Sequence, residues 1–114
     1  MIDCLFCKIV SGKISSDFVY EDDSVVAFHD INPQAPIHIL IIPKEHISTL
    51  NDIRDKDKKL LGSLQLIASK IAKENNIQSD GFRTVYNCNK DAGQTGFHIH
   101  LHLLGGRSLG WPPG

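Results

Sequence analysis

Two periods of hydrophobic and polar alternation run along this chain, and the switches between them mark its elements. From about 55 to 75, Leu60, Leu64, Ile67, Ala68 and Ile71 recur at three- and four-residue steps, while Lys58, Lys59, Lys70 and Lys73 fall elsewhere on the surface. That spacing predicts one long amphipathic helix. A shorter helix is predicted over 4–11, closed by Gly12, because glycine accepts the left-handed conformation that helix ends often need. Val25-Val26-Ala27-Phe28 predicts a strand that enters a turn at Asp30-Ile31-Asn32-Pro33. Residues 37–43, β-branched and apolar and bounded by Pro36 and Pro43, predict a second strand. Two more are predicted at 83–88 and 97–104, with a glycine-bearing loop at 91–96 between them. An antiparallel sheet with one main helix follows, an α+β domain.

Composition narrows the function. The 114 residues fit one domain, 1–114, with no internal repeat, low-complexity tract or linker. A chain of this length buries roughly two-thirds of its unfolded surface, enough for one core. Twelve basic residues against 13 acidic ones leave a formal charge of -1. Such a balance gives no footprint for wrapping a nucleic acid polymer, so any nucleotide bound is expected to be small. The longest apolar run, 37–43, is interrupted by His38 and is too short to cross a membrane. Met1-Ile2-Asp3-Cys4 carries no basic stretch ahead of a long apolar one, so no secretory signal is expected. The cysteines number three, two of them as Cys4-x-x-Cys7. In a chain without a signal this spacing reads as reduced thiols or metal ligands, and the expected compartment is the cytoplasm.

Chemistry concentrates near the C-terminus. Of six histidines, three fall within five residues, at His98, His100 and His102. On a strand they share one face at a spacing of about 6.6 Å, with Ile99, Leu101 and Leu103 packing on the other. Chance accounts for one histidine on a wet face, not for three in register. A metal is the rival reading, yet three ligands in a straight row converge poorly on one tetrahedral ion. A row of imidazoles suits an extended anion such as a phosphate chain.

Phe97-His98-Ile99-His100-Leu101-His102-Leu103-Leu104 resembles the signature of the histidine-triad (HIT) superfamily. The likeness extends to the segment Phe28 to Pro36, to His38, to Ile42-Pro43-Lys44-Glu45-His46-Ile47, to Gly93-Gln94 and to Gly105-Gly106-Arg107. The ending Trp111-Pro112-Pro113-Gly114 resembles the nucleotide-binding, nucleoside phosphoramidase branch. The resemblance implies an antiparallel sheet of about five strands with one long and one short helix, the sheet extended across a homodimer. It implies hydrolysis of the P–N bond of purine nucleoside 5'-phosphoramidates, such as adenosine phosphoramidate or adenylated lysine, giving AMP or GMP and an amine.

By the same resemblance, His100 is the nucleophile that forms a nucleotidyl-histidine, and His102 contacts the phosphate. His38 and His98 pair to deliver a proton to the leaving amine, which departs badly without one. Asn87 and Thr95 bond phosphate oxygens, joined by the backbone amides of Gly93, Gln94 and Thr95. Asp30 binds the ribose hydroxyls, although Asp ahead of Asn-Pro reads equally well as a turn residue. Phe28, Ile31, Leu5 and Phe6 form an apolar slot for the base, and Trp111 reaches the partner chain's substrate. His29 is read as solvated or structural, and Cys88 has no assigned role.

Some superfamily members hold a structural zinc through a Cys-x-x-Cys pair and two histidines. The matching residues are Cys4, Cys7, His46 and His98, a Cys₂His₂ set suited to a closed site. Two buried thiols on the inner face of a short helix are the alternative. No cofactor is expected for catalysis itself. The expected partners are purine mononucleotides and a second copy of the chain. Two other functions stay open: a dinucleoside polyphosphate hydrolase or nucleotidyl transferase of the same superfamily, and a non-catalytic nucleotide- or zinc-binding interaction module.

Overall fold

The computed structural model describes residues 4–114; the reading of Met1, Ile2 and Asp3 lies outside them. Five strands, β1 (Phe18–Glu21), β2 (Val25–His29), β3 (Ile37–Pro43), β4 (Phe82–Val85) and β5 (Leu101–Gly105), form one antiparallel sheet in the order β1-β2-β3-β5-β4. Helices α1 (Leu5–Val10), α2 (Lys58–Glu74) and α3 (Asn89–Ala92) complete the α+β fold. None of the described helices is long and apolar enough to cross a membrane.

The sheet is covered on both faces, which is why β2 and β3 read as nearly continuous apolar runs. Val25, Ala27, Ile39, Ile41, Leu101 and Leu103 pack under α2, against Leu64, Ile67, Ala68, Ile71 and Ala72. Their neighbours Val26, Phe28, Leu40 and Ile42 face the other way, onto Cys4, Phe6 and Ile9 of the α1 segment. Truncating Leu64 or Ile71, both essentially inaccessible, to alanine is expected to cost about 2–5 kcal/mol. Helix α1 stops as predicted at Gly12, whose φ is +82°.

Four features differ from the sequence reading. Strand β1 was not predicted: it has four residues, and a bulge sends Phe18 to the α1 side and Tyr20 to the α2 side, erasing simple alternation. Its hairpin is set by Asp22, whose Oδ1 accepts from the Ser24 and Val25 amides at 2.8 Å each. Strand β4 ends at Val85 instead of 88, and α3 replaces the start of the expected loop. Strand β5 begins at Leu101 instead of 97, because the preceding backbone leaves β3 for the segment after it, Ile99 N–H donating to Ile47 O at 2.7 Å.

Candidate active site

The site lies on the α1 side of β3 and β5. Their register pairs His38 with Leu104 and Leu40 with His102, so His38 and His102 are diagonal neighbours on one face. His38 Nε2 stands 2.9 Å from His102 Nδ1, with ring centroids 5.2 Å apart. His100, just ahead of β5, adds a third ring 4.9 Å from that of His102. The contiguous trio is therefore His38, His102 and His100.

The expected sharing of one face by His98, His100 and His102 holds: His98 and His100 both pack on Phe6, with ring centroids 5.9 and 4.9 Å from it, while Ile99, Leu101 and Leu103 lie in the core under α2. Residues 97–100 precede β5, so of the three only His102 sits on the strand itself. His98 is fully buried. Its Nε2 donates to Pro43 O at 2.7 Å, and its Nδ1 lies 3.5 Å from the Sγ atoms of both Cys4 and Cys7. Both ring nitrogens are thus engaged away from His38.

His100 is held in one tautomer. Its Nδ1 lies 2.8 Å from His98 O, and a carbonyl only accepts, so Nδ1 carries the proton and Nε2 keeps a free lone pair. The Phe6 ring backs it at a centroid distance of 4.9 Å. Burial, then the neighbouring His100 and His38, push His102 down to about 4. Burial also lowers His38, partly offset by the Asp30 carboxylate. Both are neutral imidazoles near pH 7.

The residues expected around the substrate are distributed unevenly. Asp30 follows β2; its Oδ1 accepts from the Asn32 amide at 2.8 Å, the turn role, while its Oδ2 lies 3.5 Å from His38 Nε2. Phe6 and Phe28 are buried with ring centroids 6.0 Å apart, but Leu5 is 55% and Ile31 98% exposed. Of the four residues expected to form the slot, Phe6 and Phe28 are buried rings and Leu5 and Ile31 are open to solvent. A cleft of about 620 Å³ runs between Leu5 and Phe6 on one side and Thr95, Gly96 and Phe97 on the other. Asn87 is half-buried beyond β4, and Thr95 is exposed. Trp111 is 83% exposed.

The glycine-bearing loop also differs from expectation. Gly93, in the left-handed conformation, caps α3, and the amides of Gly93 and Gln94 donate to Lys90 O and Asn89 O at 3.0 Å each. Gln94 Oε1 accepts from the Asn89 amide at 2.8 Å, while Nε2 donates to Ser48 O and Gly96 O. Gly93 and Gln94 therefore shape the loop from inside, which leaves Thr95 as the one candidate of the three to donate to a phosphate.

Cys4, Cys7, His46 and His98 do converge, with one ligand atom from each inside a 4.8 Å span. Cys7 Sγ lies 3.2 Å from His46 Nδ1, and both sulfurs lie 3.5 Å from His98 Nδ1. A tetrahedral ion with Zn–S of about 2.3 Å and Zn–N of about 2.05 Å separates sulfur from nitrogen by about 3.6 Å. The donor set fits zinc. Each imidazole presents Nδ1 to the sulfurs and anchors Nε2 elsewhere, His98 on Pro43 O and His46 on Ser48 Oγ at 3.0 Å. Burial, then Cys4, pushes the Cys7 thiol up to about 11 in the metal-free protein. Ser48, which anchors His46 through its hydroxyl and Gln94 through its carbonyl, was not found from sequence; its place two residues after His46 was the only signal.

Comparison with known proteins agrees with this fold. Residues 3–110 match the family model described as scavenger mRNA decapping enzyme C-term binding. The chain is 50% identical over 108 residues to the purine nucleoside phosphoramidase of Escherichia coli K12, covering 95% of this chain and 91% of that one. A HIT family hydrolase from Legionella pneumophila superposes with a TM-score of 0.96 at 52% identity, over 98% of this chain and 100% of that one. A histidine triad protein from Clostridium difficile gives 0.92 at 47% identity, over 96% of each chain. This chain belongs to the histidine-triad (HIT) family of hydrolases.

Proposed function

We propose that the protein hydrolyses the P–N bond of purine nucleoside 5'-phosphoramidates, such as adenosine phosphoramidate or adenylated lysine, through a nucleotidyl-histidine on His100. The observation that carries the reading is the Nδ1–H of His100 held on His98 O, which frees Nε2 beside His102. The Nε2 lone pair attacks the α-phosphorus, the P–N bond breaks, and the leaving nitrogen takes its electron pair and a proton. Water then attacks the phosphorus, the P–Nε2 bond breaks, and AMP or GMP departs with His100 restored. These steps call on no cofactor.

In this reading His102 binds a phosphate oxygen, and His38 with His102 supplies the proton path. Asn87 and Thr95 bond other phosphate oxygens. Asp30 takes the ribose hydroxyls, and Phe6 and Phe28 underlie the base with Leu5 and Ile31 at the rim. Zinc held by Cys4, Cys7, His46 and His98 is structural, tying α1 to the segment after β3 and to the segment ahead of β5.

The working form is one HIT unit over 1–114, paired as a cytoplasmic homodimer. Of the two sheet edges, β1 is bulged and flanked by Glu21, Asp22 and Asp23, features that deter pairing. The β4 edge carries no acid, and Thr84 Oγ1 donates to Gln65 Oε1 at 3.3 Å, next to Leu66, which is 73% exposed. Arg83 Nη2 donates to Gly110 O at 2.8 Å, so the tail is pinned at the same edge and Trp111 leaves from it. Joining β4 edges would carry Trp111 to the partner's substrate.

The test is protein mixed with adenosine 5'-phosphoramidate, quenched in acid during turnover and weighed intact. One added adenylate, mapped to the peptide bearing His100, is the expected result. Turnover without a covalent mass would remove the intermediate, and preferential cleavage of diadenosine polyphosphate would remove the substrate class.

A further inference from the structure

Two residues outside the substrate-contacting set form the base of a hydrogen-bond chain that ends at His102. Arg107, in the turn after β5, donates from Nε at 3.1 Å and Nη2 at 2.9 Å to the same acceptor, Gln34 O, and from Nη1 to Ser108 O at 2.9 Å. The fork fixes the 33–36 segment against the end of β5. The packing there is close: a Cβ at Gly106 would lie 3.0 Å from Pro36 Cβ. Held this way, the Gln34 amide meets His38 Nδ1 at 3.0 Å.

A backbone amide can only donate, so His38 Nδ1 must be the bare nitrogen and Nε2 must carry the ring proton. His38 Nε2–H then donates to His102 Nδ1 at 2.9 Å, which makes that nitrogen bare in turn. His102 Nε2 therefore bears a proton, and it has no hydrogen-bond partner among the described residues. We infer that Arg107 and the Gln34 amide are positioning groups. They fix the tautomers of His38 and His102 so that His102 presents an N–H, and not a lone pair, to the phosphate.

The value of this lies in sign. An anion is attracted by a donor and repelled by a lone pair, so a neutral His102 in the opposite tautomer would oppose phosphate binding. Neutrality alone leaves that choice open; the Gln34 amide makes it. The same logic bears on Asp30, His38 and His102, whose ligand atoms lie within 4.8 Å of one another. They do not form a ready metal site, because His38 Nε2 is protonated for as long as Gln34 holds Nδ1.

The inference rests on the proposed function only for the identity of the phosphate, and its test separates the two. Long-range ¹H–¹⁵N spectra of ¹⁵N-labelled protein without substrate report which ring nitrogen bears the proton. The expected wild-type result is Nε2–H on both His38 and His102. Gln34→Pro removes the amide donor and Arg107→Ala removes the fork, and each should give mixed tautomers at both rings. Gln34→Ala, which keeps the amide, should retain the wild-type pattern. In turnover, Arg107→Ala should lower kcat about ten-fold, the scale of one hydrogen bond. Arg107→Lys should recover only part of this, lacking the fork. Nδ1–H on either ring in the wild type, or an Arg107→Ala protein with unchanged tautomers and kcat, would overturn the inference. Wild-type tautomers as expected in a protein that cleaves no phosphoramidate would instead overturn the substrate reading.

Discussion

His100 donates its Nδ1 proton to the carbonyl oxygen of His98, 2.8 Å away. The acceptor belongs to a residue whose own ring is fully buried and fixed on Pro43 O, so the carbonyl has little freedom to turn. The imidazole with a free Nε2 is thus aimed by a residue that is itself fully buried.

His100→Ala should abolish turnover of adenosine 5'-phosphoramidate while AMP affinity stays within about ten-fold. The nucleophile acts in forming a bond, whereas binding is shared among Asp30, His102, Thr95 and the two phenylalanine rings. Steady-state rates beside AMP titration calorimetry check this, and wild-type-like turnover in the variant would end the proposed mechanism.

What the chain disclosed in advance follows the range of the forces involved. Helix α2 was legible because Leu64, Ile67, Ala68 and Ile71 repeat one local period, and β2 and β3 because apolar runs between prolines have few other uses. The placing of His98 against the thiols came from the resemblance and was not encoded locally, since those thiols lie about ninety residues earlier in the chain. Nor was the start of β5, set by the Ile47 carbonyl. Gln94 looked like part of an anion loop because glycine-flanked polar residues often are; its bond to Ser48 O is a long-range contact that local sequence does not encode. The resemblance supplied the substrate residues, and tertiary packing decided that Phe6 and Phe28 are buried while Leu5 and Ile31 are exposed.

Acid should unfold the protein partly through His102. Its folded value of about 4 lies below the ordinary value of 6.5, chiefly because of burial. Between those values the unfolded chain binds the extra proton, so stability rises with pH across that window and levels off above it. His38, also lowered, adds to the same trend. Urea denaturation at several pH values from 4.5 to 7.5 should show the rise, and His102→Gln should flatten it by up to one proton. A wild type equally stable at both ends would contradict the burial of a neutral His102.

If zinc joins Cys4, Cys7, His46 and His98, protein purified without chelators should hold close to one zinc per chain, and Cys4→Ser should lose it. The clip closes long loops, so the zinc-free form should melt several degrees lower. Turnover should fall less than stability, because His100 is no ligand. Metal analysis returning less than about a tenth of an equivalent would leave two buried thiols.

The tail should govern selectivity more than folding. Removing residues 109–114 takes away Trp111 and the Gly110 carbonyl that holds Arg83, but no buried side chain. The ratio of rates across phosphoramidates with different amines should change while the melting temperature holds within a few degrees. Light scattering at micromolar concentration should give a dimer for the full chain, and Leu66→Glu should weaken it. An unchanged rate ratio would make the tail a loose end.

Gly105 and Ile77 should be energetically coupled. Gly105 ends β5 beneath the segment that follows α2, and a Cβ added there would lie 2.5 Å from Ile77 Cδ1 and 3.3 Å from Ile77 Cβ. Ile77 is itself buried among the α2 core residues, so its δ-methyl has little space to retreat. Gly105→Ala alone should therefore cost about 1–3 kcal/mol, the usual scale of overpacking. Ile77→Val alone should cost about 0.5–1.5 kcal/mol by emptying the δ-methyl position. Combined, the two should cost less than their sum, because valine removes the atom that the new methyl strikes first. A double-mutant cycle in urea measures the difference, expected at about 0.5 kcal/mol or more. Strict additivity would mean that the strand end moves away from Ile77 instead of pressing on it. That movement would carry Arg107 with it, and the Gln34 amide would then register the substitution in the tautomer of His38.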